Sequence, residues 1–190
     1  MPWTEIEVCK IISAGHIFIH LPHDWTFAYL PKLNECMNRV YGSQETPKVP
    51  INNIMAGLVC AVEVQSNWHR VQVMALISFT QVKIKFLDSG GFAEVAVNDL
   101  RQIREDFLLL PFQALECHLH GVHSLRKRLT RTLQIFLKNK ICFAQIVDFT
   151  VDKIPVIELH TKMRKRSRKK PTNVNRRLIN HVNNRVSVLV

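Results

Sequence analysis

At 190 residues, with 47% apolar and 22% charged positions, the chain has the composition of one medium globular domain or two small fused ones. Extended disorder, collagen and disulfide-dense secreted scaffolds are excluded, and no apolar run approaches the roughly 18 residues of a membrane span. The net charge of +11 belongs to one end: residues 1–120 hold 9 Lys+Arg against 12 Asp+Glu, and residues 121–190 hold 17 against 3. Such asymmetry points to a local anionic partner.

The opening MPWTEIEV has no basic and apolar leader pattern, so a soluble domain without a signal peptide is expected. Five cysteines (Cys9, Cys36, Cys60, Cys117 and Cys142) are odd in number and form no CxxC pair. They predict small buried side chains in a reducing compartment rather than disulfides or a zinc site.

Residues 5–20 predict two strands around Ser13-Ala14-Gly15, with the glycine supplying a positive φ for the turn. In the second strand His16, Phe18 and His20 share one face, and Ile17 and Ile19 the other. A helix is predicted from about Thr26 to Tyr41, with Leu30, Leu33, Met37 and Tyr41 on its apolar stripe. Pro31 fits the first turn of its regular part and Gly42 fits the position just past its end. Residues 43–50 read as a polar linker. Between 58 and 103, four short β-rich segments (LVCAVE, HRVQVMALI, QVKIKFL and FAEVAV) are separated by Ser66-Asn67, residues 78–80 and Ser89-Gly90-Gly91. That spacing predicts a small bent antiparallel barrel. A strand over 114–120, a helix over about 124–137, two strands (KICFAQIV and IPVIELH) and a short helix near 174–180 complete the chain. No internal repeat is visible.

The stretch 58–119 resembles a Tudor domain. Trp68 and Arg70 open a strand, Phe86-Leu87-Asp88 ends another, Ser89-Gly90-Gly91 makes the turn, and Leu100-Arg101-Gln102-Ile103 follows. The flanking elements resemble the split nuclease-like OB-fold of extended Tudor domains. LRQIREDFLLLPFQALE is similar to the Tudor segment of mitochondrial A-kinase anchor proteins. The resemblance covers essentially the whole chain. It implies a mainly β fold with helices: a bent antiparallel Tudor barrel (54–110) embedded in a staphylococcal-nuclease-like OB-fold, whose two parts are 5–50 and 111–190.

Extended Tudor domains of this kind read symmetrically dimethylated arginine in an aromatic cage with one asparagine. A guanidinium is planar and weakly hydrated, so it stacks on aromatic faces for about 0.5–2 kcal/mol per ring. Carried over residue by residue, the cage positions fall on Glu63, His69, Phe86, Ser89 and Gly91, of which Phe86 alone is a full aromatic. Trp25, Phe79 and Phe92 are the rings that could replace a wall in space. The expected cage is therefore degenerate, and a retained dimethylarginine reader is an alternative.

Other candidate chemistry is sparse. In CHLHGVH, strand alternation keeps Cys117, His118, His120 and His123 from converging on one metal ion. Asp148, Asp152 and Glu158 do not make the acid, base and metal set that phosphodiester hydrolysis needs. No enzyme and no cofactor is expected. The basic loop Lys162, Arg164, Lys165, Arg166, Arg168, Lys169 and Lys170 predicts contact with phosphates of RNA, with an anionic membrane surface, or with solvent alone. Together with Arg126, Lys127, Arg128, Arg131, Arg176 and Arg177 it would make one positive surface. The resemblance implies a scaffold module on the cytosolic face of the mitochondrial outer membrane. Its expected partners are proteins, including arginine-rich peptides, or a second copy of itself; RNA binding is the alternative.

Overall fold

A computed structural model of the chain describes residues 2–43, 46–122, 127–163 apart from 138–139, and 171–186. It divides into two compact units, one made of Met1–His23 with Leu115–Val190, the other of Asp24–Ala114. The expected first segment, 5–50, is thus shared: its strands lie in one unit and its helix in the other.

In the discontinuous unit, β1 (Thr4–Ser13) and β2 (His16–His20) form an antiparallel pair. β8 (Leu115–Leu119), β9 (Lys140–Phe149), β10 (Pro155–Met163) and β11 (Thr172–Asn173) complete a six-stranded sheet of order β11-β10-β8-β2-β1-β9. A β9–β10 pairing closes it into a barrel, and β8 and β10 run parallel. Helices α2 (Lys127–Leu137) and α3 (Val174–Val186) cover it, burying Leu129, Leu133, Val174 and Leu178 against Ile17, Leu119, Ile157 and Leu159. Alternation in β2 runs as expected for Ile17 and Ile19, and Phe18 on the other face is buried as well.

Gly15 corrects one expectation. Its φ is not positive; what the turn needs is space, because a Cβ there would lie 2.0 Å from the Val122 carbonyl oxygen.

The continuous unit is an antiparallel five-stranded barrel of order β6-β5-β4-β3-β7. Its strands are β3 (Val59–Val64), β4 (Asn67–Leu76), β5 (Gln81–Phe86), β6 (Phe92–Ala96) and β7 (Arg101–Gln102). Cys60, Val62, Val71, Val73, Val82, Ile84 and Leu100 fill it. Helix α1 (Leu30–Ser43) packs on its outside, with Met37 and Tyr41 against Trp68, Ala61 and Phe107. The Tyr41 and Trp68 rings stack at 4.9 Å. The Tyr41 hydroxyl donates to the Gln102 carbonyl and accepts from the Arg104 N–H; burial raises its pKa.

The regular helix α1 starts where Pro31 was expected to set it, in its first turn after a 3-10 turn at Phe27–Tyr29, because Pro31 lacks an N–H and fits only a first helical turn. It also runs through Gly42, which is helical and not a left-handed terminator. Gly42→Ala should therefore raise stability by about 0.5–1 kcal/mol, since nothing lies within 4 Å of the added Cβ. A lower thermal midpoint for that variant would contradict the helical assignment.

The five cysteines are free thiols. Cys60, Cys117 and Cys142 are buried as expected, whereas Cys9 and Cys36 are half-buried. Burial pushes the Cys9, Cys60 and Cys117 thiols up to about 12, so they stay protonated.

Candidate functional site at one end of the five-stranded barrel

Two turns build this end of the barrel. The first is Gln65-Ser66, joining β3 to β4 with Val64 opposite Asn67. Both turn residues have positive φ, 52° and 61°, a conformation that normally selects Asn and Gly. The Asn67 side chain steadies it by donating to the Gln65 carbonyl. The second turn, Asp88 to Gly91, uses glycine where it is needed: Gly90 and Gly91 have φ of 71° and 94°. Its closing hydrogen bond runs from the Phe86 N–H to the Gly91 carbonyl.

The register decides which side chains meet. Val62 pairs with His69 and Cys60 with Val71, so Val62, Val64, His69 and Val71 share the inner face. Phe86 pairs with Val71 and joins them. The His69 and Phe86 rings touch edge to face, with centroids 5.2 Å apart and planes at 77°. Ser89 is exposed on the second turn and Gly91 is buried beside it.

Glu63 does not belong to this site, and the sequence expectation is corrected. It pairs with Trp68 on the opposite face and is exposed. The turn is Gln65-Ser66 and not Ser66-Asn67, and a one-residue slip moves every strand side chain to the other face. Val64, not Glu63, shares the inner face with His69. Of the candidate replacement rings, Trp25 and Phe92 have other neighbours. Phe79 is 98% exposed near the far end of β4, roughly 25–30 Å along the strand from His69. Phe92 pairs with Lys85, and its ring lies under the Lys83 ammonium. Trp25 stands edge-on to Tyr29 ahead of α1.

Burial lowers the His69 pKa below the ordinary 6.5, against smaller opposing contributions from the Val64 backbone and the Asp88 charge. The imidazole is neutral at pH 7. The unfolded chain takes up this proton more readily than the folded one, so the His69 contribution destabilises as pH falls through 6.5. Between pH 7.5 and 5.5, His69→Phe should therefore lose less thermal stability than the parent chain. Equal losses would show that His69 has no such linkage.

Behind the site lies a buried clamp. Arg70, its side chain fully enclosed, points to the outer face and holds Asp88 through Nε (2.8 Å) and Nη2 (2.6 Å). Nη1 donates to the carbonyls of Phe107 and Leu110, and Nη2 also to that of Pro111. All five guanidinium N–H donors thereby have acceptors. Asp88 Oδ1 also accepts the Gln113 N–H. The clamp ties the turn carrying Ser89 and Gly91 to the segment 107–113. Sequence reasoning placed Arg70 and Asp88 in a family motif without assigning them to each other; the sole signal was an arginine between apolar β4 positions.

The other sequence candidates fall elsewhere. Cys117 is in the core of the discontinuous unit, while His118 faces the His16 ring at 4.6 Å and the Gly15 carbonyl; His123 lies outside the described residues. Lys162 is exposed at the end of β10, and Arg164 to Lys170 lie outside the described residues. Arg128, Arg131 and Arg176 are exposed, and the Arg177 guanidinium and Lys140 ammonium both lie over the Phe136 ring. Among the described residues no helix is long and apolar enough to cross a membrane, and no three His, Cys, Asp or Glu side chains converge as metal ligands.

A barrel with an edge-to-face ring pair at its turn end, alongside a split OB-like sheet, defines an extended Tudor architecture. The family model described as Tudor domain matches residues 4–121, and the chain belongs to that family. It is 34% identical over 167 residues to the KH domain-containing protein akap-1 of Caenorhabditis elegans, and 30% identical over 163 residues to the mitochondrial A-kinase anchor protein 1 of Mus musculus. Each match covers 82% of this chain and 19% of the relative, so the chain spans about a fifth of their length. Among solved structures, the extended Tudor domain TD3 of mouse TDRD1, in complex with a MILI peptide containing dimethylarginine 45, superposes with a TM-score of 0.78 at 26% identity. That match covers 95% of this chain and 91% of that one. The human TDRD1 extended Tudor domain, bound to a symmetrically dimethylated peptide, shares the fold, with a TM-score of 0.77 at 20% identity and coverage of 95% and 88%.

Proposed function

We propose that the chain is a non-enzymatic protein-interaction module with a degenerate methylarginine cage, within a scaffold of the mitochondrial A-kinase anchor type. One observation carries this reading. His69 and Phe86 meet edge to face, and the remaining positions around them are aliphatic Val64, Ser89 and Gly91. Two rings at right angles offer a guanidinium one stacking face, where a full cage encloses it. Methylation then adds little, because its extra apolar surface meets few partners. The domain recognises its partners, arginine-bearing peptides or a second copy of itself, through surface outside a closed cage. A place for the scaffold on the cytosolic face of the mitochondrial outer membrane is part of this reading, and its support is that the mouse relative is a mitochondrial A-kinase anchor protein.

Calorimetry with paired peptides tests the cage. A symmetrically dimethylated arginine peptide is expected to bind no better than its unmodified counterpart. A preference of tenfold or more, about 1.4 kcal/mol, would overturn the reading. Ser89→Tyr with Gly91→Asn is not expected to restore selectivity, because the Val64 and His69 walls stay unchanged.

A second reading, RNA contact by the carboxy-terminal basic surface, is favoured by exposed Arg128, Arg131, Lys162 and Arg176. Such contact would be with phosphates and weakly sequence-specific. Capture of partner proteins that survives RNase treatment favours the first reading; loss of all capture favours the second.

A further inference from the structure

We propose that Lys48 and Arg101, beside β7 of the five-stranded barrel, bind the phosphomonoester of a phosphorylated serine or threonine on a partner protein. The site uses none of the cage positions, so it stands or falls independently of the cage.

Backbone pairing holds the two cations face to face. The Val49 N–H donates to the Leu100 carbonyl at 3.2 Å, and the Gln102 N–H to the Pro47 carbonyl at 2.9 Å. These bonds flank Lys48 and Arg101, which lie directly opposite each other in antiparallel register. A pair flanked in this way is the closer kind in an antiparallel ladder, with Cα atoms about 4.5 Å apart and side chains on one face. Like charges directly opposite are destabilising. Elsewhere in this barrel the exposed Lys83 faces Glu94 instead. Of the four arginines in this unit, Arg39, Arg70 and Arg104 each bind a carboxylate, on Glu35, Asp88 and Asp106. Arg101 is the exception. Among the described residues no carboxylate pairs with it or with Lys48, the exposed Asp99 included.

A cleft of about 380 Å3 opens at this pair, lined among the described residues by Thr46, Pro47, Lys48 and Arg101. The volume falls within the range of ordinary ligand clefts, roughly 300–1,000 Å3. The Arg101 guanidinium is held in place by its own barrel, because Nη1 donates to the carbonyls of Asn98 (2.7 Å) and Leu100 (3.2 Å). Its Nε and Nη2 have no acceptor among the described residues. That free edge of a planar guanidinium matches two oxygens of one oxyanion, and the facing ammonium supplies a second charge. Charge then selects the occupant. Two cations with no acid lining the cleft match a phosphomonoester, which carries about −1.5 to −2 at pH 7. A carboxylate or an RNA phosphodiester brings a single negative charge.

The test uses the complete 190-residue chain. In an NMR titration with inorganic phosphate at constant ionic strength, the amides of Thr46, Lys48, Val49 and residues 100–102 should shift saturably. A glycine-rich peptide with one phosphoserine should shift the same amides. It should bind at least about tenfold more tightly than the same peptide with serine or glutamate at that position. Affinity should fall as pH drops below about 6, where the monoester loses its second charge and none of the lining side chains titrates. Lys48→Ala should weaken the phosphopeptide at least about fivefold, and Lys48→Glu should abolish its binding. Neither variant should lower the thermal midpoint, because Lys48 is exposed and repels Arg101. The proposal is overturned if phosphate leaves those amides unmoved, if the glutamate peptide binds equally, or if Lys48→Glu binds like the parent. A single-stranded RNA that binds the same amides more tightly than the phosphopeptide, with the same dependence on Lys48, overturns it in favour of nucleic acid.

Discussion

Arg70→Met is expected to lower the unfolding free energy by about 3–5 kcal/mol, the cost of removing one partner from a buried ion pair. Methionine fills similar space but leaves the Asp88 carboxylate buried without its bidentate partner. It also strips a donor from the carbonyls of Phe107, Leu110 and Pro111. Arg70→Lys should recover only part of the loss, because an ammonium has three donors and cannot span five acceptors in a plane. Urea unfolding followed by tryptophan fluorescence reads the effect, since Trp68 sits two residues from Arg70 on the same face. A loss under about 1 kcal/mol for Arg70→Met would show that water replaces the clamp. The clamp also bears on binding, because Asp88 anchors the turn that carries Ser89 and Gly91.

Gly15→Ala should cost about 1–3 kcal/mol through forced displacement of packed backbone. The added Cβ meets the Val122 carbonyl oxygen at 2.0 Å and its carbon at 3.1 Å, and backbone cannot rotate aside as a long side chain can. The same Gly15 carbonyl accepts the Leu119 N–H, so any shift of the turn disturbs the β2–β8 edge as well. Thermal unfolding of Gly15→Ala beside Gly42→Ala makes an internal control. The same substitution should destabilise at one position and stabilise at the other. Equal midpoints would refute the close approach at Gly15.

Much of the fold was legible from local pattern. Strands β1 to β6 and β8 to β10 were predicted within a few residues, because alternation of β-branched and polar side chains is a property of the strand itself. The helix expected over about 124–137 matches α2, and the short helix expected near 174–180 is present but runs on to Val186. The prediction that the chain resembles extended Tudor domains rested on Trp68, Arg70, Phe86, Asp88 and the LRQIR block, and the family match agrees. His69 and Phe86 were both named as cage positions, and they stand together in the barrel.

What the sequence determined by itself, then, was the set of strands and helices and their family. These depend on side-chain type and on spacing within one segment. Tertiary structure alone decided the rest. Whether the β3–β4 hairpin turned at Gln65-Ser66 or one residue later settled the face of Glu63, and hence that Val64 is the neighbour that shares a face with His69. Cross-strand pairing fixes that choice, and neither turn has the glycine that would have marked it. Arg70 found its five acceptors on segments 18 to 41 positions away, a meeting that no local periodicity encodes. Gly15 was required by a carbonyl 107 residues further along the chain, because steric exclusion acts between neighbours in space and leaves no mark on the sequence around it.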